Sequence, residues 1–497
     1  MGIIIRQSIK GTVVVYTGVV LAFVINLFIF PLCFSKGEIG LLRVLADIGM
    51  FIAGMAAVGM QPSAIFRFFP YFQNDSKGHN GFFWLITLVP LAGFIVFIAV
   101  FYLFQGLFIK TFGNDSPLLT HYSYLLIPIS FGLMMTTSYE SYANANLRIV
   151  VPKILREIAL RIIIIAFALL YLYKYINFDA FSWVYTLSYI AIAVFILFYI
   201  KKLGKLYLNP ISFPSAEVRK DMIRYGTFMF LGGVGSLLVN SIDALMIAAS
   251  PHGDENNGVY LTMVLLASMI ELPGRSIGQI SAPIVATHMK DENLPEVQKL
   301  YQSTSVIQLS VGCLLFTLLW CNIDNIFELM PNGKEYAVGK YCVLFIGLSQ
   351  LFNMVTSLNG AILGLSKYFK FGFYAMLGIG IISVFINYLL ISTNGILGAS
   401  IARAINILLY QFTIFFFLYL KTKLSPFTKK SILPVVIMGI AMGISYIIPY
   451  MGNAFIDTAI RSLLIIASFV GFSLWFNVSP YFKEILAKGL QKVGIKQ

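Results

Sequence analysis

Long apolar runs broken by short polar stretches recur along the whole chain. Fourteen of them can be marked off, at about 12–32, 41–62, 82–104, 121–143, 154–174, 181–200, 222–249, 258–286, 300–321, 337–364, 371–392, 396–420, 432–450 and 458–477. Each is close to the roughly 20 residues that a helix needs to cross a bilayer. The pattern therefore predicts an all-α polytopic membrane protein of about fourteen transmembrane helices. The second run is expected to continue as helix beyond the membrane through Ile65, Arg67 and Phe69. The tail from Pro480 alternates Phe482, Ile485, Leu486, Leu490 and Val493 with Lys483, Lys488 and Lys492. It reads as a helix lying on the inner leaflet or as a solvated tail.

Composition agrees with the pattern. Hydrophobic residues make up 59% of the 497 and charged residues 11%, where a soluble domain carries roughly 25% charged residues. The net charge of +14 would suit a nucleic-acid partner, but its distribution argues against one. With the N-terminus in the cytoplasm, the inner loops and tails collect Arg6, Lys10, Arg148, Lys153, Lys201, Lys202, Lys205, Arg219, Lys220, Arg224, Lys421, Lys423, Lys429 and Lys430, among others. The outer segments hold only Lys36, Lys110, Lys174, Lys334 and Lys340. Positive charge on inner loops is what membrane insertion selects, so no nucleic acid is needed to explain it. Both termini are expected in the cytoplasm. The first run has no small-residue cleavage site and reads as an uncleaved span. Cys33, Cys313, Cys321 and Cys342 form no metal-binding or disulfide pattern, so no metal and no cofactor is expected.

The longest inner loop, Lys201 to Lys220, contains Pro210 and Pro214 and divides the first six spans from the next six. The two sides are weakly alike. Gly11-Thr12 and Gly226-Thr227 open the first run of each, and Glu38-Ile39-Gly40-Leu41 and Asn257-Gly258-Val259-Tyr260 open the second. Six spans per half give both halves one orientation, hence a parallel repeat about an axis along the membrane normal. The expected organisation is a lobe over 1–205, a linker over 206–220, a lobe over 221–420, and an added helix pair with its tail over 421–497.

The chemistry lies in the charges that fall within the spans. Met269-Ile270-Glu271-Leu272-Pro273-Gly274-Arg275 is halfway along the eighth run, so a carboxylate and a guanidinium fall near the bilayer midplane. Each costs about 2.5–3.5 kcal/mol there, which makes such residues functional candidates. Glu271 and Arg275 are one helical turn apart and can pair, either to fix packing or to serve a substrate. Pro273 lacks an N–H and Gly274 loosens the turn, so the helix is expected to bend between them. Arg43, Arg275 and Arg403 cannot all reach water and point to a central cavity, with Arg67 near the inner surface. Arginine stays charged when desolvated and grips phosphate oxygens through a planar fork. An excess of arginine over acid suits an anionic substrate. Asp47, Asp243 and Glu271 would exchange ions or balance the arginines. Arg161 and Arg461 are expected to snorkel to the surface, and Glu140, Glu157 and Arg161 lie close enough in depth to pair. No P-loop, HExxH or GxSxG motif occurs and no loop much exceeds twenty residues, so no enzyme is expected.

Taken in order, several pieces resemble a known family. They are Gly37-Glu38-Ile39-Gly40-Leu41, Gly59 through Pro70, Val239-Asn240-Ser241-Ile242-Asp243, Asn257-Gly258-Val259-Tyr260, and Pro273-Gly274-Arg275 through Ala282-Pro283. Together they are similar to the polysaccharide transporters, the O-antigen (Wzx-type) flippases of the multidrug/oligosaccharidyl-lipid/polysaccharide (MOP) exporter superfamily. The resemblance implies two six-helix lobes around a central cavity. It implies transfer of an undecaprenyl-diphosphate-linked oligosaccharide between leaflets by alternating access, with H+ or Na+ as coupling ion. A polysaccharide polymerase and a chain-length regulator would be its partners, and a bacterial inner membrane its location. Fourteen spans also resemble the lipid II flippase subgroup, but the first span lacks the arginines that subgroup would place in its cavity. The alternatives left open are a peptidoglycan-precursor flippase, an ion-coupled multidrug exporter of the same superfamily, and a membrane scaffold without transport.

Overall fold

The structure is a computed structural model. It describes residues 2–290 and 293–478, and the side chains of these except 2–12, 75, 237, 275, 276, 279, 280, 282, 283, 286 and 290. The expected tail helix over 480–497 lies outside the described residues. Helix dominates the described chain, and it occupies each of the fourteen apolar runs. By length and composition, nine described elements can cross a bilayer, and a helix bent by 44° between Ser236 and Leu238 makes a tenth. The protein is an all-helical, multi-pass membrane protein.

The chain divides into two compact units, Met1–Leu261 and Thr262–Gln497. The first begins with α1 (Gly2–Val24), continues through a π-helical turn over Ile25–Ile29 into α2 (Phe30–Cys33), and then into α3 (Lys36–Ala56). Ser35 and Glu38 form a reciprocal capping box that starts α3, satisfying two N–H groups that would otherwise be orphaned. The second run does not extend as one helix, contrary to the sequence expectation. Val58 and Gly59 take positive φ values of 44° and 80°, and Pro62 is the first residue of a separate helix, α4 (Pro62–Phe72). A proline at that position is preorganised to start a helix, so the backbone reverses over 57–61 and restarts.

After α4 come α5 (Phe82–Phe112), α6 (Pro117–His121), α7 (Leu126–Ala145), α8 (Val150–Ile154), a second π-turn over Leu155–Ala159, α9 (Leu160–Leu172) and α10 (Phe178–Lys202). Asn177 caps α10, Asp179 is in its first turn, and Lys201 and Lys202 are in its last, all favourable to the helix dipole. Ser215 caps α11 (Ala216–Ala248), and α12 (Gly253–Ser268) follows and runs across the boundary between the units.

The second unit starts with a 3-10 turn over Met269–Glu271 and α13 (Leu272–Lys290). It continues with α14 (Leu294–Cys321), α15 (Ile323–Leu329), α16 (Lys340–Val355), α17 (Asn359–Leu365), α18 (Phe369–Thr422), α19 (Ile432–Ile447) and α20 (Ala454–Trp475). A single break at Gly395, with φ 53° and ψ −130°, divides α18 into the two spans expected over 371–392 and 396–420. Just past it, a Cβ at Gly398 would fall 1.8 Å from the Leu390 carbonyl, so only glycine allows this tight reversal. One apolar core of this unit joins α14, α16, α19 and α20 through Phe316, Leu351, Ile437 and Phe469.

Candidate functional site

In the first unit, Arg43 and Asp47 are on α3 and Asp243 on α11, where these helices meet with α12. Gly40 and Gly258 lie against each other. A Cβ on Gly40 would stand 1.9 Å from the Asp254 carbonyl oxygen and 2.8 Å from Gly258 N; one on Gly258 would stand 2.2 Å from the Lys36 carbonyl oxygen. The two backbones touch because neither residue has a side chain. Arg43, one turn below Gly40, reaches across the same crossing. Its guanidinium donates to Asn26 Oδ1 at 3.0 Å and points at the Gly258 carbonyl at 3.5 Å. Asn26 belongs to the π-turn that interrupts the first span, and its amide donates back to Ala22 O at 2.7 Å. Such turns recur at functional sites. Asp47 is half-buried one turn further along α3, and the charges of Arg43 and Asp47 both reach the Tyr185 phenol.

Asp243 is buried on α11 and accepts a hydrogen bond from the Tyr260 hydroxyl. Asn257 donates to Ala244 O at 3.0 Å beside it. The adjoining end of α12 is fastened to the segment that starts α6. Ser116 Oγ donates to Ala248 O at 2.7 Å, Gly253 N to Asp115 O at 2.8 Å, and Leu118 N to Asp254 Oδ2 at 2.9 Å. Asp254 thus caps α6 from another segment of the chain. Burial pushes its carboxyl up to about 6 against the lowering effect of these N–H donors.

At the other end of α11, Gly59 meets Gly226, whose Cα would be 2.4 Å from a Gly59 Cβ. Ser63 Oγ is 2.9 Å from Met229 Sδ. Arg67 is exposed on α4, its guanidinium 4.7 Å from the centre of the Tyr225 ring and 5.7 Å from that of Phe68. Among the described residues it has no acidic partner.

The second unit holds Glu271, Pro273, Gly274 and Arg403. Glu271 is half-buried in the 3-10 turn. The irregular turn comes before Pro273 and not between Pro273 and Gly274 as expected. Pro273 is the second residue of α13, where its missing N–H is not needed, so the interruption moves one turn towards the N-terminus. The Gly274 Cα approaches α14 and α16; a Cβ there would be 3.0 Å from Gln308 Oε1 and 3.5 Å from Met354. The Gln308 amide is fully buried, and neither its oxygen nor its nitrogen is hydrogen-bonded among the described residues. The Arg275 side chain lies outside the described residues, and the expected pairing with Glu271 lies there too. Arg403 is half-buried in the second half of α18.

Two arginines expected to snorkel are held instead. Arg461 donates to both carboxylate oxygens of Asp457, at 3.0 and 3.1 Å, and to the Ser445 carbonyl at 2.5 Å. Asn325 completes the cage around the buried Asp457. Arg161 pairs with Glu157 at 2.6 Å, while Glu140 takes Arg156 at 2.7 Å. A carboxylate one turn away on the same helix satisfies the guanidinium more directly than a long reach to water would.

Sequence reading also missed a neutral network in the second unit: Tyr301 to Asn359, Asn359 to Gln411, Gln411 to Asn353 and Asn353 to Gln350. Its only signal was amides recurring within apolar runs. An open cleft of about 710 Å³ lined by Cys33, Tyr171, Lys174, Tyr175 and Asn177 contains none of the predicted site residues. Among the described residues, no three His, Cys, Asp or Glu side chains gather as a metal cage.

No protein-family model matches the chain, and no curated protein sequence does. Solved structures do. The chain is similar to the lipid II flippase MurJ in its inward closed conformation, at 14% identity and a TM-score of 0.75, over 94% of this chain and 99% of that one. It is similar to an inward-facing multidrug-resistance MATE transporter of the MOP superfamily, at 12% identity and a TM-score of 0.63, over 82% and 94%. It is also similar to a MOP superfamily transporter from Pyrococcus furiosus, at 13% identity and a TM-score of 0.55, over 85% and 95%. The chain therefore shares the fold of these solved transporters.

Proposed function

We propose that this chain is a flippase. It carries an undecaprenyl-diphosphate-linked oligosaccharide, the repeat unit of an O-antigen, capsule or exopolysaccharide, from the inner to the outer leaflet by alternating access. It lies in a bacterial inner membrane with both termini in the cytoplasm. Its lobes are 1–205 and 221–420, joined by the linker 206–220, and the pair over 421–497 is an addition to them. The observation that carries the reading is Arg67. Its guanidinium lies 4.7 Å over the Tyr225 ring, an arrangement that suits an anion gripped by its N–H groups. It stands where the inner ends of α4 and α11 meet. A diphosphate arriving from the inner leaflet would be gripped there, and Arg43, Arg275 and Arg403 would bind it in turn. Asp47, Asp243 and Glu271 balance these charges or exchange H+ or Na+ between cycles.

A peptidoglycan-precursor flippase is the second reading. It is favoured by the match to MurJ over nearly the whole of both chains. The two are separated by reconstituting the protein in vesicles and measuring transfer of fluorescent undecaprenyl-diphosphate oligosaccharide and of lipid II side by side. Preference for the first is expected. Arg43→Ala and Arg403→Ala should each lower transfer without lowering the amount of inserted protein, and lysine should substitute only in part, being a charge without the fork. Undiminished transfer with both arginines removed would exclude a cavity that binds the diphosphate.

A further inference from the structure

Between α4 and α5, the chain makes an uncommon turn. Gly78, His79, Asn80 and Gly81 all have positive φ, at 57°, 49°, 50° and 73°. Two of the four carry side chains, and such a run persists only where its surroundings hold it. The surroundings here are the linker that leads from α10 to α11. Ser212 N donates to Asn80 O at 2.9 Å. The Gly78 and Gly81 Cα atoms press against Asn209 and the Pro210 carbonyl, at distances that would leave a Cβ 2.3 and 2.4 Å away. His79 is fully buried, with Tyr207 of the linker 4.7 Å from its ring and Phe69 5.1 Å on another side.

The hydrogen bonds around His79 have one direction. Tyr142 donates its hydroxyl to Lys205 O at 3.0 Å. Its oxygen is then the acceptor for His79, whose Nδ1 is 2.8 Å away and carries the proton. Phe213 closes the dock against Phe72, and Ser215, two residues later, caps α11. The foot of α11 is thus tied down by an aromatic box with one backbone hydrogen bond, Ser212 N to Asn80 O, at its rim. The contact further up α11 is of another kind. Gly59 lies on Gly226, Gln61 under Gly233 and Ser63 beside Met229. Among the described residues the aromatic contact there is a single edge of Phe68 on Tyr225 beside Arg67, and Val58, a β-branched residue at φ 44°, adjoins them.

We propose that the 75–81 turn is a standing anchor for the linker, that His79 positions α11 and so the Tyr225 ring beneath Arg67, and that α11 swings away from α4 about this fixed foot during transport. The inference rests on the flippase reading for the word transport, and on the geometry alone for the anchor. Strong and weak contacts in series on one helix yield at the weak one. The glycine contact therefore opens and the anchor does not.

Two double-cysteine variants in a background free of the native cysteines test this. Asn80→Cys with Ser212→Cys joins the anchor, and Ser63→Cys with Met229→Cys joins the contact above it. Both should cross-link in membranes with a short bis-maleimide. Transfer of fluorescent undecaprenyl-diphosphate oligosaccharide should survive the first link, and fall about tenfold or more with the second. Loss of transfer with the anchor linked, or no effect of the upper link, overturns the proposal. Absence of transfer in the unlinked proteins would instead count against the flippase reading. The anchor is then still decided by hydrogen exchange, which needs no substrate. The Ser212 amide should exchange about tenfold or more slowly than the amides of 57–61. His79→Ala should abolish that protection and His79→Gln, which keeps an N–H for Tyr142, should retain it. Equal exchange at Ser212 in the His79→Ala protein overturns the anchor.

Discussion

Adding one methyl group at Gly40 tests the crossing of α3 and α12 most directly. A Cβ there would be 1.9 Å from the Asp254 carbonyl oxygen and 2.8 Å from Gly258 N. Both neighbours are backbone, so no side chain can rotate away, and the helices must part by more than an ångström. Overpacking of this kind costs about 1–3 kcal/mol. Only the closed crossing bears that cost, so Gly40→Ala should shift the balance of closed and open forms by about 5- to 150-fold. The reporter is Asn257→Cys in a background free of the native cysteines. Asn257 is fully buried behind the contact, on the side predicted to face out. Its labelling by a membrane-impermeant maleimide should rise by that factor in the alanine variant. Gly106→Ala is the control, since nothing lies within 4 Å of its added Cβ, and labelling there should not change. Normal labelling in a well-folded Gly40→Ala protein would show that the crossing does not open, and would refute the use of this contact as a gate.

Three further outcomes are expected. Reporter fusions after Asn209 and Lys429 should read cytoplasmic and those after Gly253 and Asn394 external; an external signal at Asn209 would break the six-plus-six plan. Arg461→Met should cost about 3–5 kcal/mol by leaving a buried carboxylate unpaired, seen as a lowered melting temperature, and Asp457→Asn added to it should recover much of the loss. Asp254 has a folded-state pKa raised to about 6 from 3.8 by burial, so its contribution to stability is full below about pH 4 and is lost as pH rises through 6. Asp254→Asn should raise the melting temperature at pH 7.5 and leave it unchanged at pH 4, and a variant that melts like the parent at both would remove this residue from the account.

Much of the architecture was legible because lipid imposes it. A helix crossing a bilayer must be long and apolar, and that pattern survives without knowledge of partners. Boundaries set by local chemistry were legible in part. Pro273 was visible in the sequence, but its place in the first turn of α13, where it does no damage, depends on where the preceding turn ends. The break at 57–61 was missed because Val58 is a poor candidate for positive φ, and only the approach of Gly226 to Gly59 makes the reversal useful. Partners of charged residues were the least legible. Asp457 was overlooked as a mate for Arg461, although the two are four apart on α20. Asn26, distant in sequence from Arg43, gave no cue at all. The burial of His79 was not legible either, since it comes from the aromatic rings of three separate segments, those of Phe69, Tyr142 and Tyr207.

A parallel repeat, if the two halves are one, would bear on the crossing itself. In a parallel repeat, an axis along the membrane normal exchanges equivalent positions, and residues near the axis meet their own counterparts. Glu38-Ile39-Gly40-Leu41 and Asn257-Gly258-Val259-Tyr260 open the second run on each side, and their glycines, Gly40 and Gly258, are in contact. Packing groups α11 and the start of α12 with the preceding helices, up to Leu261, while the repeat assigns them to the second half. Both descriptions hold if the α3 contact with α11 and α12 is one that closes and opens. A helix that the expected repeat would assign to one lobe, but that packs with the other, is what a closed gate would show, and Gly40→Ala tests it.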